Sequence, residues 1–343
     1  MFAKPAIHKF TFLSLLLLVL FLTISCSTIL GRGRGPKLTP IHIGFNSLQM
    51  SFAVIPPSVF ASETALPGFQ PYDSAFPVVV KLANQGAADI EQGYLALGLE
   101  DDYMGLVAWE LEALPFEPLG GSGKTLSFIL QGRSEYNPYG QQELLPFTVR
   151  AKPLDVQSLQ HTSSIGLTAC YTYKTEATAR ICIDPDIYQT KPIQKVCQSK
   201  PQTLTQGQGS PVALSQLDTK MLPQEKSVVP QFIFEFQNKG SGLILNKQSI
   251  DKACSYFGSQ LQDWNVAQIE DVHFSDFSLK RGEIECSSET ILFRDNKAVL
   301  RCNLKPGLLD TSIDAYETTL TIILSYGYTF SISQPVLIER IQR

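Results

Sequence analysis

Val80-Lys81-Leu82-Ala83-Asn84-Gln85-Gly86 and Phe234-Glu235-Phe236-Gln237-Asn238-Lys239-Gly240 follow one plan at two places in the chain, 154 residues apart. Each is an alternating apolar run closed by Asn-x-Gly. Alternation with a period of two gives a strand with one buried face, since successive side chains point to opposite sides of a sheet. Asn and Gly after such a run are expected for the positive φ that a tight turn needs.

Other landmarks return in the same order with nearly the same shift. Tyr103-Met104-Gly105 comes back as Tyr256-Phe257-Gly258, and Lys152-Pro153 as Lys305-Pro306. Tyr171-Thr172-Tyr173 comes back as Tyr326-Gly327-Tyr328, and the two tryptophans, Trp109 and Trp264, stand 155 residues apart. A fixed period of this kind is the mark of a duplicated module. The first copy is expected over residues 41–190 and the second over 191–343. Trp109 and Trp264 are expected as matched core residues. Tyr171, Tyr173, Tyr326 and Tyr328 alternate along their strands, so each pair shares a sheet face. That face is a candidate interaction surface, with cross-strand packing as the other reading.

Runs such as Leu126–Leu130, Phe147–Ala151, Ile165–Tyr173, Val299–Leu304 and Thr318–Tyr326 are short, β-branched or aromatic, and separated by turn residues. Helical periodicity is scarce. The expected fold class is all-β, with two tandem immunoglobulin-like β-sandwich modules. The recurring strand that ends in Asn-x-Gly resembles the CARDB-like adhesion-type domains of archaeal and bacterial surface proteins. With its apolar leader, the whole chain resembles archaeal exported, membrane-anchored proteins. That resemblance implies an extracellular location and an architectural role.

Residues 1–30 form a signal peptide or membrane-anchor helix, and 31–40 a Gly/Arg/Pro linker. Lys4 and Lys9 precede Phe10–Leu30, an uncharged span long enough to cross a bilayer. Thr23-Ile24-Ser25-Cys26 is a near-miss for a lipoprotein site, so Cys26 is a lipidation candidate. The leader is retained, lipidated or cleaved. Six cysteines follow it: Cys170, Cys182, Cys197, Cys254, Cys286 and Cys302. An even set behind an export signal reads as disulfides. Local hairpins favour Cys170–Cys182 and Cys286–Cys302, which leaves Cys197–Cys254 by elimination; free buried thiols are the alternative.

Catalytic motifs are lacking. Gly120-Gly121-Ser122-Gly123-Lys124-Thr125 has Pro118 where a phosphate loop needs its first Gly, and a strand-like run follows where a helix should open. Glu100-Asp101-Asp102 could offer carboxylates to Ca²⁺, but the second copy has Asp251-Lys252-Ala253 there, so no acidic site is common to both copies. Asp184-Pro185-Asp186 reads as a turn. His8, His42, His161 and His273 are dispersed, there is no Cys-x-x-Cys pair, and no Gly-x-Ser-x-Gly elbow occurs. No cofactor is expected. A net charge of −4 gives a nucleic-acid partner no electrostatic support.

The sequence thus describes a membrane-anchored, extracytoplasmic structural or interaction protein of a cell envelope, not an enzyme. Its partners would be the membrane, through the leader, and an envelope protein or glycan. The alternatives are an envelope glycan-binding protein and an enzyme with a dispersed site. A pilin-like assembly is disfavoured, because the apolar span lacks the acidic residue such pilins carry near its start.

Overall fold

The structure is a computed structural model. It describes residues 41–62, 74–120, 123–188, 190–192, 194–224, 227–254 and 263–341. The apolar span Phe10–Leu30 and Cys26 therefore lie outside the described residues. Among those that are described, no helix is long and apolar enough to cross a membrane. Strands make up 59% of the described residues and helix 3%, so the all-β expectation holds.

Pro40–Arg343 is one compact unit, and within it the expected first copy contributes β1 (Leu48–Val54), β2 (Ser58–Phe60), β3 (Ala75–Asn84), β4 (Ile90–Gly98), β5 (Met104–Trp109), β6 (Phe116–Leu119), β7 (Thr125–Leu130), β8 (Gln142–Ala151) and β9 (Gln160–Ile183). The second contributes β10 (Gln202–Thr203), β11 (Val212–Pro223), β12 (Val228–Asn238), β13 (Leu243–Leu245) and a one-turn helix α1 (Ile250–Cys254). It continues with β14 (Val266–Phe274), β15 (Phe277–Ser278), β16 (Ile284–Cys286), β17 (Thr290–Leu292), β18 (Lys297–Leu304) and β19 (Tyr316–Glu339).

Two small sheets, β1-β3-β8-β5 and β10-β11-β12-β18-β16, share one hydrophobic core with a single large sheet, β15-β14-β19-β9-β4-β7-β6. The spine of the large sheet is the pair β9 and β19. They run antiparallel over their full lengths, from Gln160 opposite Glu339 to Ile183 opposite Tyr316, without a register shift. At the usual rise per residue each strand is about 80 Å long.

The copies are therefore interlocked. The first half of β9 pairs with β4 of its own copy, while Thr175–Ala179 pairs with β19 residues that also hold β14. In return, the end of β19 runs back along β9 and receives β2 of the first copy as a parallel neighbour, Leu337–Glu339 against Ser58–Phe60. Thr172 faces Gly327 at the centre of the ladder, and those two residues are also equivalents in the repeat.

Alternation fixes which face of the spine is buried. Ile165, Leu167, Ala169, Tyr171, Tyr173, Ala177 and Ile181 of β9, with Leu320, Ile322, Leu324, Tyr326 and Tyr328 of β19, lie in the core. The small sheets supply Val78, Val80, Leu82, Phe147, Phe232, Phe234 and Phe236 to the same core. Burying apolar surface at about 25 cal/mol per Å² is the main stabilising term for such layers.

Candidate functional site

The four tyrosines expected as a candidate interaction face are the centre of the core. Tyr171, Tyr173, Tyr326 and Tyr328 are between 0% and 2% exposed, so they cannot meet a partner. The reason is the second layer. Both small sheets bring their strand ends over the centre of the β9–β19 ladder and close it off from solvent. Each hydroxyl is then satisfied from that layer or the spine. Tyr171 pairs with Ser47 Oγ at 2.7 Å and Tyr326 with Thr175 Oγ1 at 3.0 Å. Tyr173 donates to Asn84 Oδ1 at 3.3 Å, and Tyr328 to Asn238 Oδ1 at 3.1 Å. Burial pushes all four phenols above their ordinary range, with Tyr328 pushed up to about 12.

The Asn-x-Gly motifs work differently from the turn expected of them. Neither Asn84, Gly86, Asn238 nor Gly240 has positive φ. Each Asn instead ties the end of its strand: Asn84 Nδ2 donates to the carbonyls of Ala88 and Leu130, and Asn238 Nδ2 to that of Gly242. Its Oδ1 accepts the N–H of the glycine two residues on and the tyrosine hydroxyl. Glycine is required because that hydroxyl sits where a Cβ would be, 1.8 Å away at Gly86 and 2.2 Å at Gly240.

All six of the cysteines beyond the leader are in disulfides: Cys286–Cys302, Cys170–Cys254 and Cys182–Cys197. The first was expected, since β16 and β18 place those two residues opposite one another. The pairs Cys170–Cys182 and Cys197–Cys254 are corrected. Cys170 and Cys182 lie on one unbroken strand, about 40 Å apart at the usual rise. Both occupy the outward phase of β9, where α1 brings Cys254 and the following segment brings Cys197.

Trp109 and Trp264 are not equivalent. Trp109 ends β5, packs against Phe147 at 4.9 Å and donates to the Gly123 carbonyl at 2.8 Å. Trp264 bridges Leu245 and packs on Cys170, Ile250 and Cys254. Both are half-buried. Tyr256, Phe257 and Gly258 lie outside the described residues. The counterpart of β5 is β16, since both pair with the last small-sheet strand of their copy.

The acidic clusters are engaged by cations. Asp101 pairs with Lys124, the lysine of the phosphate-loop look-alike, whose next residues form β7. Glu100 meets His161 at 3.0 Å, a contact that holds its carboxyl below the ordinary value. Asp184 pairs with Lys195 at 2.7 Å, and Asp186 accepts from Thr190 and from the backbone of Lys191. A cavity of about 470 Å³ lies beside Thr172 and Ser325. Both its lysines are paired, Lys247 lying 3.3 Å from Glu270 and Lys174 4.0 Å from Glu91, while its third carboxylate, Asp89, accepts the Gly132 N–H. Burial alone would raise the Glu270 carboxyl, but Ser325, Lys174 and Lys247 outweigh it and hold the group low.

The outstanding surface feature is one that strand patterning could not find. Between β7 and β8, residues 131–141 form a loop from which Tyr136 and Tyr139 project, 97% and 63% exposed. The available signal was compositional: Ser134-Glu135-Tyr136-Asn137-Pro138-Tyr139-Gly140 stands where the second copy has only Phe293–Asn296.

No known protein-family pattern matches the chain, and no curated protein matches it. The CARDB-like resemblance thus has no family match behind it. Among solved structures, the chain is similar to the C-terminal domain of the antigen I/II-family protein AspA of Streptococcus pyogenes, at 6% identity and a TM-score of 0.18 over 86% of this chain and 100% of that one. The CupB6 tip adhesin of Pseudomonas aeruginosa matches at 9% identity and a TM-score of 0.17, over 86% of this chain and 98% of that one. The collagen-binding domain of the Erysipelothrix rhusiopathiae surface protein RspB matches at 10% and 0.16, over 87% and 97%. These TM-scores lie far below what a shared topology gives.

Proposed function

We propose that this protein is an extracytoplasmic interaction component of a cell envelope, tethered through Phe10–Leu30 and without a catalytic role. In this reading its two copies are elaborated immunoglobulin-like sandwiches of the CARDB-like kind, fused back to back into one presenting body. The observation that carries it is the commitment of Cys170, Cys182, Cys197, Cys254, Cys286 and Cys302 to three disulfides. Such bonds persist in oxidising compartments and are rare in a reducing cytosol. Interlocking supports a mechanical role as well, because a spine shared by both copies resists bending between them.

The test is thiol accounting in cells that make the protein. Blocking with a heavy maleimide before and after reduction should show six protected cysteines in the membrane or exported fraction. Mass spectrometry of the mature N-terminus should then show either a retained or lipidated leader or a cut after it. Recovery of a cytosolic chain with six free thiols would reject the reading.

A further inference from the structure

Cys286 and Cys302 are disulfide-bonded and stand directly opposite one another on β16 and β18. On either side of them the ladder is closed by main-chain bonds. Ser287 donates its N–H to the Arg301 carbonyl, and Lys305 its N–H to the Glu283 carbonyl. In an antiparallel ladder, hydrogen-bonded pairs alternate with pairs that make no main-chain bond, and side chains come closest at the latter. Cys286 and Cys302 are such a pair. Their link therefore lies between two sets of backbone bonds and stands in for none of them. Opening it leaves the ladder in register, with two thiols facing each other.

The two sulfurs differ in access. Cys302 is 0% exposed between the buried Leu300 and Leu304, whereas Cys286 is half-buried on a strand at the sheet edge. Four residues further on, the chain has crossed to the large sheet, where Thr290–Leu292 pair with β14. Beside that crossing is a cavity of about 760 Å³, lined by Ile269 of β14 and by Ile284 and Cys286 of β16. A thiol entering it meets Cys286 and not Cys302. The other two bonds are covered. Cys170 and Cys254 are buried, with Tyr94, Ala253 and Trp264 packed against them. Cys197 is half-buried, but the chain is clamped on both sides of it: Lys195 pairs with Asp184, and Ser199 Oγ donates to the Thr219 carbonyl.

We propose that Cys286 is a thiol-exchange site, at which a thiol-bearing molecule forms a mixed disulfide with this protein. The incoming thiolate bonds to Cys286 Sγ as the Cys286–Cys302 bond breaks; Cys302 Sγ leaves with the electron pair and takes a proton from water. With a dithiol as reductant, its second thiolate then displaces Cys286. The dithiol ends as a disulfide, and the protein has gained two electrons and two protons. A disulfide-bearing molecule reverses the cycle, because the ladder keeps Cys286 and Cys302 adjacent. This goes beyond the extracytoplasmic reading: one of the three bonds is reactive, and two are structural. It rests on the geometry of that bond and not on location, so its failure leaves the earlier reading standing.

The experiment mixes the oxidised full chain with reduced glutathione, traps free thiols at timed points with a maleimide, and maps adducts by peptide mass spectrometry. The expected first product carries glutathione on Cys286 and maleimide on Cys302. It should form at least about tenfold faster than any adduct on the other four cysteines, with the circular dichroism of the sheets unchanged. Oxidised glutathione should then restore the bond. In Cys302→Ser, the freed Cys286 should take up glutathione from its disulfide; in Cys286→Ser, the buried Cys302 should not. Earlier opening of Cys182–Cys197 would overturn the proposal. So would a glutathione adduct on Cys302, or a sheet signal that falls in step with the opening of Cys286–Cys302.

Discussion

Tyr328 donates its phenolic proton to Asn238 Oδ1 at 3.1 Å, deep in the core and across ninety positions of sequence. Tyr173 does the same to Asn84 at 3.3 Å. The duplicated element is thus a lock between the spine and the end of a small-sheet strand. Tyr328→Phe keeps the ring and removes the donor, leaving Asn238 Oδ1 with the Gly240 N–H alone and depriving the Gly242 N–H, which bonds Tyr328 Oη at 2.9 Å, of its acceptor. A loss of about 1–3 kcal/mol is expected from each of Y328F and Y173F, read by urea unfolding. Asn238→Ala adds the loss of the Gly242 carbonyl's donor and should cost more than Y328F.

The glycine of the motif can be tested against its tyrosine. Gly240→Ala forces a Cβ to within 2.2 Å of the Tyr328 hydroxyl, an overpacking expected to cost about 1–3 kcal/mol. In the double variant G240A/Y328F the obstructing oxygen is gone, so the combined loss should fall below the sum of the two. Strict additivity would show that the glycine is there for some other reason.

Strand content was legible because it rests on local pattern: alternation marks a half-buried strand wherever it lies. Asn84 and Asn238, quoted for their like motifs, accept matching hydrogen bonds from Tyr173 and Tyr328. What failed was long-range. Nothing near Cys170 says that β9 runs straight through Thr175 instead of turning, so its pairing with Cys254, 84 residues away, could not be read. The tyrosines were misplaced for the same reason: alternation gives a face, but only the second layer decides whether that face is wet. The matched spacing of Trp109 and Trp264 does not mark matched strands, because an excursion between β13 and β14 moves β14–β17, but not β18 or β19, off the common shift.

Interlocking forecasts the behaviour of a single copy. A chain of residues 41–190 keeps Ala177, Ala179, Ile181 and Ile183 on β9 but loses β19, which pairs with them and helps bury them. An unpaired apolar strand edge of that length associates. Size-exclusion chromatography with light scattering should show dimers or larger species, since the edge of β9 left open by β19 can pair with that of a second chain. A stable, monodisperse monomer would show that the copies are separable.

The disulfides should differ in weight. Cys170–Cys254 closes a loop of 84 residues, and Cys182–Cys197 one of 15. On the chain-entropy account these are worth about 4.5 and about 3 kcal/mol. C170A/C254A should therefore unfold at lower denaturant than C182A/C197A. The reverse order would mean that the segment after β9 is held mainly by its staple, and that α1 stays docked without one.

Alkali should open the protein through its buried tyrosines. A phenol in the unfolded chain loses its proton near pH 10. In the fold Tyr328 is pushed up to about 12, and burial raises Tyr171, Tyr173 and Tyr326 as well. A raised folded value means that the native state holds protons which the unfolded chain gives up. The stability tied to them is complete below pH 10 and is lost as the pH climbs towards the folded values. Each group contributes a slope of up to about 1.4 kcal/mol per pH unit, and four together roughly 5. Against a total stability of about 5–15 kcal/mol, that slope unfolds the protein within roughly one to three pH units above 10. Tyrosinate absorbance and circular dichroism followed together should show one steep step in which the four buried phenols ionise as the sheet signal collapses. Tyr326→Phe should make that step shallower by one proton. Ionisation of Tyr171, Tyr173, Tyr326 and Tyr328 near pH 10 with the sheet signal unchanged would contradict the buried centre itself.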